Sequence, residues 1–236
     1  MAISPHAHAR KVARRLASLY PEAPCALVFT TPFELLAATV LSAQCTDVRV
    51  NQVTPALFAR FPDAKSLAEG EPPAVEALVR PTGFFRAKAR SLIGLSRALV
   101  EDHGGEVPAD LDALTALPGV GRKTAHVVLG TALKIASGVV VDTHVKRLAR
   151  RLGMSSQVDP VKVERDLAAA IPRSGWIMLS HRLIAHGRAV CNARRPRCDA
   201  CRLADICPRV GVDPARAGPK RPTPLARGGA DPGQSI

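Results

Sequence analysis

The fold of this chain is decided by the stretch Leu117-Pro118-Gly119-Val120-Gly121-Arg122-Lys123-Thr124-Ala125, which lies between two segments of helical character. Its two glycines, one residue apart, allow backbone conformations closed to other residues and let backbone amides approach a phosphate closely. The second helix points its positive N-terminal end at the same place. A Gly-x-Gly turn alone would also suit a simple helix cap, but the full run predicts a helix-hairpin-helix over about residues 110–133 that holds a DNA backbone. The predicted contacts are Leu117, Pro118, Gly119, Val120 and Gly121.

Helical signals dominate the sequence on both sides of this hairpin. Thr31-Pro32-Phe33-Glu34 is a capping box with proline at the first helical position. From Lys88 to Glu101 apolar residues recur at helical spacing, with Lys88 on the solvent side. Asp159-Pro160 opens a further helix by the same capping logic. The strand-like run Val139-Val140-Val141 has no partner run and predicts an extended connector, so the predicted fold class is all-α.

The chain is strongly basic, with 33 Lys and Arg against 20 Asp and Glu and a net charge of +13. This balance is typical of proteins that bind a polyanion, although a generically basic surface would give the same total. The basic residues are also clustered, which favours a phosphate backbone as the partner. The clusters are Arg10, Lys11, Arg14 and Arg15; Lys146, Arg147, Arg150 and Arg151; and Arg188, Arg194, Arg195 and Arg197.

The composition restricts the class of protein further. An apolar content of 47% excludes a disordered polyelectrolyte, and no apolar run approaches the ~20 residues of a membrane span. Residues 1–20 lack the apolar stretch of a secretory signal; they suit a basic amphipathic helix or, as the alternative, a mitochondrial transit peptide. Pro, Gly, Arg and Asp prevail near the end, so residues 211–236 are expected to form a flexible tail.

Four cysteines follow the pattern C-x6-C-x2-C-x5-C: Cys191, Cys198, Cys201 and Cys207. Four thiolates this close, without a secretory signal, favour a metal site over disulfides. A zinc site usually presents two C-x2-4-C pairs, whereas an iron–sulfur cluster needs four thiolates from a compact wrapping loop. The spacing therefore favours the cluster, with zinc as the alternative. Cys25 and Cys45 lie in apolar helical surroundings and are expected to be buried small hydrophobes.

Four motifs, taken together, resemble those of the endonuclease III DNA glycosylases. They are the hairpin run, the four-cysteine loop, V-D-T-H at Val141–His144, and Leu41-Ser42-Ala43-Gln44 followed by Thr46-Asp47, which is similar to L-S-A-Q-x-T-D. The resemblance covers about residues 13–208.

The resemblance implies an all-helical, two-lobed helix-hairpin-helix glycosylase fold with DNA lying across the cleft. One lobe is a six-helix barrel, expected at residues 24–136. The other joins residues 1–23 to residues 137–210 around a 4Fe–4S cluster held by the four cysteines.

The resemblance also implies a bifunctional DNA glycosylase that removes oxidised pyrimidines, such as thymine glycol, and nicks the abasic site. Lys123 lies in the first turn of the second hairpin helix, where it could be one more phosphate contact. In the family, the lysine at this position attacks C1′ of the damaged nucleotide and forms a Schiff base, after which β-elimination breaks the strand. Asp142 is expected to cap the helix that begins near Thr143. It matches the family carboxylate that assists the lysine and stabilises positive charge on the sugar.

A base inside a duplex must be flipped out for this chemistry, and the gap it leaves must be filled. Gln44 and Phe84 match the family positions that enter the duplex, although Phe84 and Phe85 would also suit a core. The resemblance assigns Ser42, Asp47 and His144 to the substrate pocket, and Arg147 to DNA binding. His126 departs from the asparagine that the family often carries after K-T-A, which leaves the local hydrogen bonding open.

Two other interpretations compete with this one. Adenine-mismatch glycosylases and other mismatch-specific enzymes of the same fold share the hairpin, but the adenine-specific family normally lacks its lysine and carries an added C-terminal domain. A non-enzymatic DNA-binding module would use the hairpin and cluster only to hold DNA. Lys123 and Asp142 together favour the bifunctional enzyme. We expect it to act as a monomer on double-stranded DNA with damaged bases or abasic sites, in the bacterial cytoplasm rather than in a mitochondrion or nucleus.

Overall fold

A computed structural model describes residues 4–213 and residue 215, and every regular element in that part of the chain is a helix, which confirms the predicted all-α class. The α-helices are α1 (Pro5–Leu19), α2 (Pro32–Leu41), α3 (Asp47–Arg60), α4 (Ala64–Ala68), α5 (Pro72–Val79), α6 (Phe85–His103), α7 (Leu111–Ala116), α8 (Arg122–Thr131), α9 (Thr143–Arg151), α10 (Pro160–Ala170) and α11 (Trp176–Ala189). Short 3-10 helices lie at Arg80–Thr82 and Arg173–Gly175. Residues 139–141 form neither a helix nor a strand, in agreement with the prediction of a connector. Most of the predicted tail lies outside the described residues.

Most of these helices start at a side chain that accepts a hydrogen bond from the first turn. Thr31 does so for α2 and Asp159 does so for α10, as the sequence predicts. The capping box at Thr31 is incomplete, because the Glu34 carboxylate accepts hydrogen bonds from the backbone and hydroxyl of Thr30 instead. Each such cap stabilises its helix by about 1 kcal/mol, so local sequence sets where the helices begin.

The buried apolar side chains form two clusters. The first, which we call the first core, is built from α2 to α8, between Leu27 and Leu129, and these helices form the first lobe. The second combines α1 with α9, α10, α11 and Leu203, which form the second lobe. Since α1 packs on α10 and α11, the chain begins in the second cluster and builds the first, then returns through residues 132–142. No helix in the described part of the chain is long and apolar enough to cross a membrane.

Lys88 and two cysteines differ from the sequence prediction. Lys88 is buried rather than on the solvent side, and its Nζ donates a hydrogen bond to the Thr82 carbonyl at 2.8 Å. The 3-10 helix before α6 folds over this position, so the apolar stem of Lys88 is covered while its ammonium meets a carbonyl. Cys25 and Cys45 are half-buried against the first core, rather than fully inside it.

Candidate nucleic-acid interface and catalytic cleft

The hairpin between α7 and α8 exposes part of its backbone and is anchored by apolar side chains packed in the first core. Leu117 and Val120 are buried in the first core, and their backbone N–H groups donate to the carbonyls of Leu114 and Leu117, so their assignment as DNA contacts stays a prediction. Gly119 has φ +77°, and a Cβ there would lie 2.7 Å from Cβ of Ser91, so only glycine fits. A Cβ at Gly121 would meet nothing within 4 Å, which leaves the first turn of α8 open in front of it. The hairpin can therefore receive an anion on backbone N–H groups.

Lys123 lies in this open first turn of α8. Its side chain is exposed and makes no hydrogen bond or ion pair with any described residue. The residue before it, Arg122, instead reaches the second lobe, where its Nη2 lies 3.5 Å from Oε1 of Glu164. Lys123 is thus a side chain at the mouth of the hairpin that has no partner among the described residues.

Asp142 caps α9, as predicted, at the end of the extended connector. Its Oδ1 accepts a hydrogen bond from the Val145 backbone N–H at 2.7 Å. His144 follows in the first turn, and burial lowers the pKa of its ring, although the nearby carboxylates of Asp142 and Asp47 oppose the shift. Asp47 and His144 come from separate motifs, and the fold brings them within electrostatic range of each other. The Asp47 carboxylate also pairs with Arg188 of α11, which joins the two lobes.

His126, whose role the sequence left open, is buried between the lobes. Its Nδ1 lies 2.7 Å from Oγ of Ser137, and its Nε2 lies 3.3 Å from Oε1 of Glu164. The second approach is off the hydrogen-bonding direction of the ring, so it is an electrostatic contact. Burial raises the pKa of Glu164, but its contacts with His126 and Arg122 outweigh this and hold the pKa below its usual value. A Cβ at Gly138 would overlap both Glu164 and His126, so only glycine fits at this position of the connector.

Gln44 and Phe84 share an unusual backbone conformation. Both are non-glycine residues with positive φ, at 52° and 47°, and both are exposed. Phe84 is 67% exposed, which excludes the alternative of a core residue, whereas Phe85 is half-buried against the first core. The buried ammonium of Lys88 holds the carbonyl of Thr82, two residues before Phe84. Such strain is held by the surrounding structure and concentrates at functional positions.

The four C-terminal cysteines line one small cavity of about 20 Å³, together with Arg151 and His186. Arg151 Nη1 donates to Sγ of Cys191 at 3.4 Å, and the Leu203 backbone N–H donates to Sγ of Cys201 at the same distance. His186 lies between Tyr20 and Cys201, and burial lowers the pKa of His186 to about 4, so the ring is neutral. Polar groups therefore surround sulfurs that would otherwise sit in an apolar pocket.

The chemistry of the four cysteine thiols suits a metal-containing group. Burial raises the pKa of Cys198 and Cys201, and it raises the pKa of Cys207 to about 11. Thiols of this kind ionise when metal charge compensates them. In the described part of the chain, no three His, Cys, Asp or Glu side chains are close enough together to bind a single metal ion. The donor set, four thiols around one cavity, suits a group that accepts four thiolates.

Two arginines of α9 hold the cysteine loop. Arg147 Nη2 donates to the carbonyls of Gly187 and Cys191 at 3.4 and 3.2 Å. Arg151 donates to the carbonyls of Asn192 and Ala193 at 2.7 and 2.8 Å. The guanidinium of Arg147 is thus occupied by the protein, and its assignment to DNA stays a prediction. The sequence did not predict that Arg147 and Arg151 hold the cysteine loop, nor that Glu164 contacts the hairpin helix. In each case the two interacting residues lie about 40 residues apart along the chain.

Comparison with known proteins gives a consistent result. Residues 37–173 match a family model described as the HhH-GPD superfamily of base excision DNA repair proteins. Endonuclease III of Synechocystis sp. (strain ATCC 27184 / PCC 6803 / Kazusa) is 55% identical over 193 residues, which cover 82% of this chain and 88% of that protein. A non-covalent Endonuclease III–DNA complex matches with a TM-score of 0.83 at 40% identity, over 88% of this chain and 97% of that chain. A trapped Endonuclease III–DNA covalent intermediate matches with the same TM-score at 39% identity, over the same shares of the two chains.

Proposed function

Because this chain belongs to the endonuclease III family of HhH-GPD base excision DNA repair proteins, we propose that it is a bifunctional DNA glycosylase and abasic-site lyase acting on oxidised pyrimidines. The observation that supports this best is the side chain of Lys123, which is exposed in the first turn of α8 beside the open hairpin and has no partner among the described residues. The similarity to an Endonuclease III chain trapped covalently on DNA is consistent with a nucleophilic residue in this chain.

In this proposal, the hairpin binds a phosphate of the damaged strand through the backbone around Gly119 and Gly121. The first turn of α8 adds the positive end of its dipole. Gln44 and Phe84 enter the duplex where the damaged nucleotide has left it. Their exposed side chains, both at positions of positive φ, are available to fill that gap.

Lys123 then attacks C1′ of the flipped nucleotide with its neutral amine. The new C1′–N bond forms as the glycosidic bond breaks, and the departing base takes a proton from water. Transfer of the proton lost by the amine to O4′ then breaks the C1′–O4′ bond, which gives a protonated Schiff base between Lys123 and C1′. Loss of a proton from C2′ breaks the C3′–O bond, so the strand is cut by β-elimination, and water releases the lysine.

Asp142 supplies a fixed negative charge to this reaction. Its cap to Val145 holds the carboxylate at the start of α9, on the opposite lobe from Lys123. A carboxylate held in this way stabilises the positive charge that develops on the sugar, and it accepts the proton that Lys123 must lose. Ser42, Asp47 and His144 line the pocket for the flipped base in this proposal.

The four cysteines would hold a 4Fe–4S cluster. When bound, the cluster supplies four metal–thiolate bonds that fix the loop between α11 and the end of the described chain. The same loop exposes Arg194 and Arg195, which a rigid base would direct at DNA phosphates. The proposed partner is double-stranded DNA with damaged bases or abasic sites, bound by a monomer in the bacterial cytoplasm.

The experiment that tests the function is incubation with a thymine-glycol duplex in the presence of borohydride. We expect base release, strand cleavage and a covalent protein–DNA adduct. A duplex with an adenine mismatch is the control, and we expect it to be processed far more slowly. Base release from the adenine mismatch without any adduct would instead assign the chain to the mismatch-specific glycosylases.

A further inference from the structure

A second basic feature lies on α9, apart from the hairpin. It is a groove of about 270 Å³ between α9 and the segments that pack beside it. We call it the α9 groove, and its lining includes Thr143, Lys146, Arg150, Gln157, Val158 and Gly211. The backbone N–H of Val210 donates to the Arg151 carbonyl at 3.3 Å, which fixes the far wall against the helix.

The groove carries uncompensated positive charge. Arg147 and Arg151 also line it, but their guanidinium groups bind carbonyls of the cysteine loop. The side chains of Lys146 and Arg150 make no hydrogen bond or ion pair with any described residue. The lining contains no acidic residue among those described. Two free cations in a concave surface without a carboxylate form a site for an anion.

The shape of the groove suits a phosphate that carries a sugar. Lys146 and Arg150 are four residues apart, so they lie one above the other on the same face of α9, separated by a rise of about 6 Å. Val158 is 69% exposed and, with Gly211, gives an apolar surface beside them. Gln157 adds an amide at the same wall. Cations for the phosphate and an apolar face for the sugar are the elements of contact with a nucleic-acid backbone.

The position of the groove relates it to the proposed catalytic cleft. Thr143, at one end, directly follows Asp142, and Arg150 lies about 10 Å further along the helix. We propose that the α9 groove binds a phosphate group, and that this phosphate belongs to the DNA backbone that crosses the cleft. The assignment to DNA rests on the proposed function. A free phosphate or a nucleotide has the same chemistry and is the other source that the experiment separates.

The test measures how the Kd for a duplex with a tetrahydrofuran abasic analogue depends on salt, by fluorescence anisotropy. The variant Lys146→Gln/Arg150→Gln is compared with the wild type and with Lys65→Gln/Arg60→Gln, whose exposed cations lie in the first lobe. We expect the log–log salt slope to fall by about one to two in the groove variant, because each lost phosphate contact lowers it by about one. The control keeps the wild-type slope.

A charge-preserving variant, Lys146→Arg/Arg150→Lys, is the control for disruption of the fold. It changes the same two positions but keeps both positive charges, so it should keep the wild-type slope. An unchanged slope in the glutamine variant would overturn the DNA assignment. If that variant lost only the binding of inorganic phosphate, measured by competition and calorimetry, the groove would belong to a free phosphate and the DNA proposal would again fail. Borohydride trapping of the wild type is run in parallel. Its failure would count against the proposed function, whereas the salt slope still decides the groove.

Discussion

The two lobes present their proposed catalytic side chains in opposite ways. Lys123, from the first lobe, is exposed and makes no hydrogen bond or ion pair with the described residues. Asp142, from the second lobe, is half-buried and held by the Val145 backbone N–H. A nucleophile needs an approach path and a free lone pair, whereas a carboxylate that stabilises charge needs a fixed position. The contrast teaches that this fold fixes the carboxylate proposed to stabilise charge and leaves the proposed nucleophile without a partner among the described residues.

The largest effect is expected from replacing Lys123, the proposed nucleophile. Lys123→Gln should abolish the adduct trapped by borohydride at an abasic site, because no amine remains at that position. Binding to the same duplex should change little, since the proposed phosphate contacts of the backbone at Gly119 and Gly121 remain. The melting temperature should also change little, because exposed substitutions usually alter stability by about 0.5 kcal/mol or less. Trapping at the wild-type rate would show that another amine is the nucleophile.

Two substitutions at Asp142 separate the effect of its charge on the reaction from the effect of its N-cap on stability. Asp142→Asn keeps an N-cap oxygen, so the free energy of unfolding should stay close to that of the wild type. Base release in single-turnover assays should slow by about 10²–10³-fold, the usual cost of removing one electrostatic stabiliser. Asp142→Ala should slow the reaction similarly and also lose about 1 kcal/mol of stability. Equal stability of the two variants would show that the cap contributes nothing.

The rigidity of the second lobe should depend on the proposed cluster. We expect the purified protein to be brown and to contain iron, and Cys207→Ser to lose most of it. Hydrogen exchange should then rise more in α9 than in α8, because Arg147 and Arg151 of α9 bind the cysteine loop. Cys25→Ser is the matched control in the other lobe and should keep its iron. One zinc and no iron in the wild type would contradict the cluster.

Phe84, unlike Asp142, is an exposed side chain, and it tests the proposed role of the first lobe in base flipping. Phe84→Ala should slow release of a stably paired thymine glycol about tenfold, which corresponds to about 1.4 kcal/mol. Cleavage at a preformed abasic site should slow less, since flipping is easiest where the base is missing. Val28→Ala, at another exposed apolar residue of the first lobe, is the control. Equal losses on both substrates would argue against a role in flipping.

The smallest effect concerns Glu164, which joins the lobes. Its folded pKa lies below the unfolded value, so its contribution to stability is present above the unfolded pKa of about 4.3 and is lost as pH falls through the folded pKa. Glu164→Gln should lower the melting temperature by about 2–4 °C at pH 7, for a loss of about 1 kcal/mol. The difference from the wild type should shrink between pH 5 and pH 3. Exposed Glu101→Gln should show no such trend, and a constant difference would exclude the ionic contact.

The features that sequence predicted are those coded within a few residues. The hairpin follows from its glycines, the caps of α2, α9 and α10 follow from Thr31, Asp142 and Asp159, and the shared cavity of the cysteines agrees with their spacing. Each depends on contacts between near neighbours in the chain, which propensity and spacing describe well.

What the sequence did not predict is non-local. Lys88 looked like a solvent residue by periodicity, but a carbonyl from the preceding 3-10 helix covers it. His126 pairs with Glu164 and Asp47 pairs with Arg188, each across the lobes. Arg147, which the sequence assigns to DNA, also donates to the carbonyl of Cys191, a contact that the sequence did not predict. A periodic pattern predicts which side chains share a face of a helix. Which residues contact that face depends on how the other elements pack against it.

The backbone conformations of Gln44 and Phe84 have a consequence for evolution in the laboratory. Glycine adopts positive φ without strain, so glycine at either position would relieve a local cost of order 1 kcal/mol. A library selected only for heat resistance should therefore accumulate glycine at 44 and 84. A library selected for survival under oxidative mutagenesis should keep the larger side chains, and the two populations should diverge first at these two codons.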